Sequence, residues 1–418
     1  MTTGRRLPGL LIAVLAVFTA QQSLAPLQAP LAREVGLSEI ALGLVLTVGA
    51  AVFAGTSLLW GRAVDRYGHR AVLLAGMLLS LAGMTGFAVV SQVALAGGLD
   101  PWATLALMLS TRSVFFGAGV GAVPVAAIAL VAATTTSEAD RTTGIGRIGA
   151  VQGLAVALGP ALGGALGFAG LLGPLWTAPA VVALALGVVA LLVPRTSAVP
   201  TTAAGTTPGG PADRSALRPW DPRLWPVLVG GFGLYLALGM TLIVLGFLVQ
   251  DRLGLDAAAT VSATGAASFA SGVVLILAQG VVVPRLGWPA ARLLRVGSPI
   301  ALLGLLVLLV ANSLGLIVVA LVVLAAGLGL AIPGYTTAPT LLVGPDEQGA
   351  VAGLVQTVTA LTFVVAPVAG TALYGRSPEL PVLVAAVACA LAALFVRLHP
   401  ALRPSPARGD RPSGGGLR

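Results

Sequence analysis

The chain has few side chains capable of chemistry, and they stand at selected places. The densest charge in its apolar part is the run Gly61-Arg62-Ala63-Val64-Asp65-Arg66-Tyr67-Gly68-His69-Arg70. Hydrocarbon cannot hold such a run without a large penalty, so it predicts a short, charged loop at a membrane surface. Arg112 is the one charge deep inside an apolar segment. Intramembrane arginines are costly and face a protein interior or a wet cavity. Two roles fit: proton coupling or anion binding in a cavity, or a cross-brace to polar groups such as Gln21 or Gln22. Gln152, Tyr235, Tyr335, Gln356 and Thr359 also stand within apolar segments. Like the two glutamines, each either touches a substrate or satisfies a neighbouring helix backbone.

What is missing is as informative. None of the 14 acidic residues falls in the middle of an apolar segment. Hydrophobic cations are therefore poor cargo, and a single deep arginine favours neutral or anionic compounds. The chain has no P-loop, no H-E-x-x-H, no G-x-S-x-G and no cluster with metal-ligand spacing. We expect no enzyme, no metal and no cofactor, and no ATP-driven step. The single cysteine, Cys389, lies in the last apolar segment and reads as an inert buried thiol.

The elements that hold these residues follow from composition. Of 418 residues 57% are hydrophobic and 9% charged, with a mean hydropathy of +1.01. Soluble domains carry about a quarter charged residues, so this chain cannot cover a water-facing surface. Apolar segments fall near 8–31, 38–60, 71–96, 102–132, 144–168 and 174–193, and then near 224–250, 258–283, 292–312, 314–342, 350–374 and 380–397. Each is long enough to cross a bilayer, and each must be a helix because no water there satisfies the backbone. The expected organisation is a six-helix bundle at 1–194, a cytoplasmic linker at 195–222, a second bundle at 223–400 and a disordered cytoplasmic tail at 401–418. The first segment lacks a small-residue cleavage site and reads as a retained helix.

All 23 basic residues are arginine and the net charge is +9. With the N-terminus in the cytoplasm, Arg33, Arg252 and Arg376 fall on outer loops and Arg112 falls inside a segment. The other 19 are cytoplasmic, a strong positive-inside bias. No soluble basic domain is present, so the charge does not point to nucleic acid. The six tryptophans stand at or just beyond segment ends, as interfacial anchors do.

The halves repeat. Gly121-Ala122-Val123-Pro124 has an echo in Leu330-Ala331-Ile332-Pro333, and Gly159-Pro160 in Ala366-Pro367. The charged run has a degenerate copy, Gly280 to Gly287, with Pro284 in place of the aspartate. Such repeats imply two similar bundles with a binding site between them.

Gly61, Asp65, Arg66, Gly68 and Arg70 keep the pattern of the loop between the second and third helices of the major facilitator superfamily, and the chain resembles that family over nearly its whole length. The resemblance implies an all-α membrane fold of 12 transmembrane helices in two pseudo-symmetric six-helix bundles. It implies that Asp65 meets a helix end of the other half, near Gly349 to Gly353, and helps hold the outward-facing state. Arg112 with Gly117, Gly119 and Gly121 resembles the fourth-helix pattern, although the family spaces its arginine and first glycine one residue closer. Gly159, Pro160, Gly163 and Gly164 resemble the fifth-helix bend of the family's antiporters, with Ala155 where a further glycine is expected. Glu138, Asp140, Arg141, Asp346 and Glu347 are expected to be solvated surface charge or part of a latch.

The expected function is secondary active transport of a small, largely apolar, neutral or anionic molecule by alternating access, as a proton-coupled exporter. Import of a small metabolite such as an organic acid, by symport or uniport, and a receptor or assembly role on the same scaffold stand as alternatives. The expected partners are a small-molecule substrate, protons and the lipid bilayer. The expected setting is a bacterial cytoplasmic membrane, with both termini cytoplasmic and the protein a monomer.

Overall fold

The computed structural model describes residues 3–134, 138–192, 220–344 and 347–398. The expected tail and most of the expected linker lie outside the described residues, as do the side chains of Glu138, Asp140, Arg141 and Asp346.

Among the described residues twelve helices are long and apolar enough to cross a membrane. They are α1 Pro8–Glu34, α2 Glu39–Tyr67, α3 His69–Leu95, α4 Pro101–Val131, α5 Gly146–Ala169 and α6 Leu172–Leu191. The second six are α7 Trp225–Leu253, α8 Ala257–Leu286, α9 Ala290–Val310, α10 Leu314–Leu342, α11 Gly353–Tyr374 and α12 Leu380–Leu398. Five of them depart from regular α geometry over a few residues: α1, α4, α5, α8 and α10, with α8 π-helical at Ala278–Val282. In α1 a short 3₁₀ turn, Ala25–Leu27, forms around Pro26, which cannot donate a backbone hydrogen bond. In α4 the segment Leu109–Phe115 is wound as a π-helix.

Packing obeys one internal rule. In the first half α1 lies on α5 and α6, α4 on α2 and α3, and α3 on α6. The second half repeats each pair: α7 lies on α11 and α12, α10 on α8 and α9, and α9 on α12. The helix ends repeat as well. Ser38 and Asp256 cap the first turns of α2 and α8, and Asp100 and Ser313 cap those of α4 and α10. Each cap satisfies backbone donors that the helix itself leaves free, which accounts for two carboxylates at these ends. The two bundles meet along two seams, α2 against α11 and α5 against α8. The internal symmetry exchanges these seams.

The charged run departs from the loop expected of it. Helix α2 continues through Gly61 to Tyr67, and α3 begins at His69. The turn is one residue, Gly68, with φ +80°. Arg62, Asp65 and Arg66 lie on the last two turns of α2, and Arg70 lies on the first turn of α3. Only the residue that must take a positive φ interrupts the helix, and glycine does so without steric cost. Gly287, between α8 and α9, holds the matching place with φ +55°.

Candidate functional site

The seams are tight at one end of the molecule and open at the other. We call the end bearing Asp65 the loop end, and the opposite one the far end. Towards the far end the bundles touch through small residues. A Cβ on Gly265 of α8 would stand 2.4 Å from Gly164 Cα and 2.7 Å from the Pro160 carbonyl oxygen of α5. One on Gly43 of α2 would meet Thr371 Oγ1 of α11 at 2.0 Å. Thr47 Oγ1 donates across that seam to the Val364 carbonyl oxygen at 2.9 Å. Towards the loop end the same helices face open space. A Cβ on Gly55 or Gly61 of α2, Gly146, Gly149 or Gly153 of α5, Gly280 of α8 or Gly353 of α11 would meet nothing within 4 Å. The seams thus part beyond mid-helix, leaving a wedge open at the loop end.

The Gly159-Pro160 motif stands where this matters. A Cβ on Gly159 would lie 2.3 Å from Gln22 Cβ of α1, and one on Gly163 would lie 2.0 Å from the Ser23 carbonyl oxygen. Gly164, one residue on, faces Gly265. The motif lets α5 pass between α1 of its own bundle and α8 of the other at backbone distance.

A polar latch closes the far end. Arg33, at the end of α1, donates to both carboxylate oxygens of Asp251, at the end of α7; the Nη2–Oδ2 distance is 2.8 Å. Arg33 also donates to Gln250 Oε1 at 3.2 Å and to Glu39 Oε1 at 3.4 Å. Tyr374 of α11 donates to Asp251 Oδ2 at 2.6 Å. The Phe247 ring lies 5.0 Å from the guanidinium carbon and 5.5 Å from the Tyr374 ring. Two-point contact to a carboxylate is the geometry arginine is built for. The latch is partly open to solvent, so each ion pair contributes about 0.5–1 kcal/mol, enough to bias a two-state protein. Sequence reasoning placed Arg33 on an outer loop, gave it no role and did not single out Asp251. The available signal was their opposite charge at matching ends of the first helix of each half.

At the loop end Asp65, Arg66 and Tyr67 are exposed, and Arg66 lies 5.2 Å from the Tyr67 ring centre. Asp65 makes no hydrogen bond or ion pair with the described residues. Arg70 lies 3.4 Å from the Ala190 carbonyl oxygen, at the end of α6. In the second bundle Arg223 joins Asp221 to Glu347 just before α11, with N–O distances of 2.9 and 3.1 Å. The hydrogen bonds from Arg223 hold both carboxyls below their ordinary range and raise its own pKa.

Arg112 lies in the π-helical stretch of α4, where the widened backbone moves the side chain off the regular helical register. It is 8% exposed, with its guanidinium carbon 4.5 Å from the Phe116 ring centre. It makes no hydrogen bond or ion pair with the described residues, Gln21 and Gln22 included. Its side chain and Gln28 are the polar members of a wall otherwise built from Leu24, Leu27, Leu42, Phe87, Met108 and other apolar groups. The free space there is about 20 Å³.

The remaining candidates are scattered. Tyr235 of α7 stands edge-on to Tyr335 of α10 at 5.8 Å and to Phe363 of α11 at 6.2 Å. Tyr335 is fully buried; Gly231 makes room for its ring, and its hydroxyl lies 3.4 Å from the Val355 carbonyl oxygen. Gln21, Gln22, Gln152 and Thr359 are half-buried and Gln356 is exposed. The structure thus gathers Tyr235, Tyr335 and Phe363 into one aromatic group, with Arg112 in a separate pocket of the other bundle.

Comparison with known proteins agrees with this architecture. A segment of 135 residues is 33% identical to the puromycin resistance protein pur8 of Streptomyces alboniger, covering 32% of this chain and 24% of that protein. The chain therefore matches about a quarter of that relative's length. Among solved structures, a bacterial homologue of the human lysosomal transporter Spinster, inward-facing and occupied, superposes with a TM-score of 0.68 and 15% identity over 96% of this chain and 98% of that one. The human organic anion transporter MFSD10 (TETRAN) gives 0.60 and 18% over 94% and 99%. The family model described as Major Facilitator Superfamily matches residues 10–367 and again 294–417. With its twelve helices and two pseudo-symmetric bundles, this chain belongs to the Major Facilitator Superfamily of transporters.

Proposed function

We propose that the protein exports a small, largely apolar, neutral or anionic molecule by alternating access, driven by a proton gradient. The observation that carries this reading is the one-sided seam: latched and glycine-packed at the far end, parted at the loop end. A bistable pair of bundles with a bias at each end needs only a rocking motion to present a central site to either side. In this reading the loop end is cytoplasmic, the structure is the inward-facing state, and both termini lie in the cytoplasm of a bacterial cell. Asp65 then biases the opposite state by docking near the first turn of α11, where a helix dipole favours negative charge. The matched segment of a puromycin resistance protein and the Gly159-Pro160 bend favour export over import. The absence of a mid-helix carboxylate from the sequence favours neutral or anionic cargo over cations. Tyr235 and Phe363 supply an aromatic face suited to an apolar molecule.

The test is flux in proteoliposomes holding the full chain as a monomer, with an imposed pH gradient and matched neutral, acidic and cationic apolar compounds. Gradient-dependent uphill movement of the neutral or acidic compounds supports the reading. Preference for the cation contradicts the cargo class, and uphill transport that persists after the gradient collapses contradicts proton coupling.

A further inference from the structure

We infer that Arg112 recognises a single compact negative charge, either the carboxylate of a cargo molecule or a free monovalent anion of halide size. The clause about cargo rests on the transport reading; the site itself does not.

A guanidinium carries five N–H donors and stays charged at every accessible pH. Arg112 is 92% withdrawn from solvent, yet no acceptor among the described residues meets it. Glu39 and Asp251 serve Arg33 and Asp100 caps α4, and none of the three meets Arg112. The Phe116 ring at 4.5 Å offsets part of the charge but accepts no conventional N–H hydrogen bond. In apolar surroundings an unmatched cation attracts an anion far more strongly than it does in water. A group that cannot release its proton does not carry one, so holding an anion is the chemistry left to it.

Size follows from the walls. Leu24, Leu27, Leu42, Phe87 and Met108 leave about 20 Å³ beside the side chain, room for one or two water-sized bodies. Gln28 adds an amide, itself without a hydrogen-bond partner among the described residues. Halide, formate or one end of a carboxylic acid suits such a space; sulfate or gluconate does not. The π-helical winding of Leu109–Phe115 is a local departure of the kind found at functional sites.

The experiment is thermal unfolding of the full chain in lipid nanodiscs. Chloride, bromide, formate and benzoate are titrated against a gluconate background at constant ionic strength. The expected result is a saturable rise of about 3 °C or more with a small anion. Arg112→Gln abolishes it. Arg112→Lys keeps the charge, and with it the fold, but weakens apparent affinity about tenfold because the planar fork is lost. A response to halides and formate identifies a free-anion site; a response confined to formate and benzoate identifies a cargo carboxylate. A flat wild-type response, or an unchanged affinity in Arg112→Lys, overturns the assignment. A flat response in protein that still moves neutral cargo leaves the transport reading standing. A saturable response without any flux sustains the site and removes that reading.

Discussion

Arg33 and Asp251 face each other across the seam between the bundles, two guanidinium nitrogens to two carboxylate oxygens. Both stand at the far end of the first helix of their half. The two halves, built on one plan, therefore carry opposite charges at the same position, and the far-end contact draws them together. Tyr374 and Glu39 complete the latch from α11 and α2, the two helices of one seam.

Asp251→Asn removes the charge and leaves the shape. The far end should open more often, about two- to fivefold, the range expected for a partly exposed ion pair. The measurement is maleimide labelling of Ala29→Cys, which lies buried against Gly246. Native Cys389 is fully buried and serves as a silent background. A labelling rate equal to that of the unmodified latch contradicts the role of Asp251.

Glycine contacts give an asymmetric prediction. Gly265→Val drives its side chain into the backbone of α5, which cannot yield, at a cost of about 1–3 kcal/mol to this state. Gly153→Leu meets open space here and leaves the melting temperature within about 2 °C of the parent. Flux should nevertheless fall severely in Gly153→Leu, because that face must close in the other half of the cycle. Full flux in Gly153→Leu contradicts a cycle in which the loop end closes.

Asp65 is exposed and without an ion pair among the described residues. Asp65→Asn should leave thermal stability unchanged and cut flux at least about tenfold, by weakening the opposite state. Melting curves and vesicle transport on one preparation check both halves of the statement. A large loss of stability instead means that Asp65 is structural in this state.

The Arg223 cluster sets a pH dependence. Hydrogen bonds from Arg223 lower the pKa values of Asp221 and Glu347, so their contribution is present above the ordinary carboxylate range. It is lost as pH falls through the lowered values. Wild type and Arg223→Ala should therefore differ in melting temperature above the ordinary carboxylate range, and the difference should shrink as pH falls below that range. A difference that grows with acidity has the wrong sign and contradicts the account.

Much of the fold was legible because the bilayer imposes a long, uniform signal on every crossing. The twelve apolar runs coincide with α1 to α12 to within a few residues over most of their length. Helix α2 is an exception: its last seven residues carry three charges, so hydropathy ended the segment where the helix did not. The π-helical turn of α4 leaves no mark in hydropathy, since it changes backbone pairing and not composition. The Gly159-Pro160 motif was legible as a helix bend, but the helices it packs against were not. That Gly164 meets Gly265 depends on which helices cross, a long-range matter. The far-end latch was missed for the same reason, since Arg33 and Asp251 are 218 residues apart. Arg112 stood out at once as the one charge deep inside an apolar run; that no acceptor among the described residues meets it required the structure.

The central claim is that the two ends open and close in opposition. Spin labels at Ser38 and Asp256 report the far end, and labels at Arg66 and Gly353 report the loop end; all four positions are exposed. Pulsed dipolar distances in nanodiscs, compared between the parent and the Gly265→Val variant, need no knowledge of the cargo. The account predicts that in Gly265→Val the far-end distance lengthens while the loop-end distance shortens. If both distances lengthen together, or the loop end stays fixed while the far end opens, the bundles do not rock about a shared centre and the account is wrong.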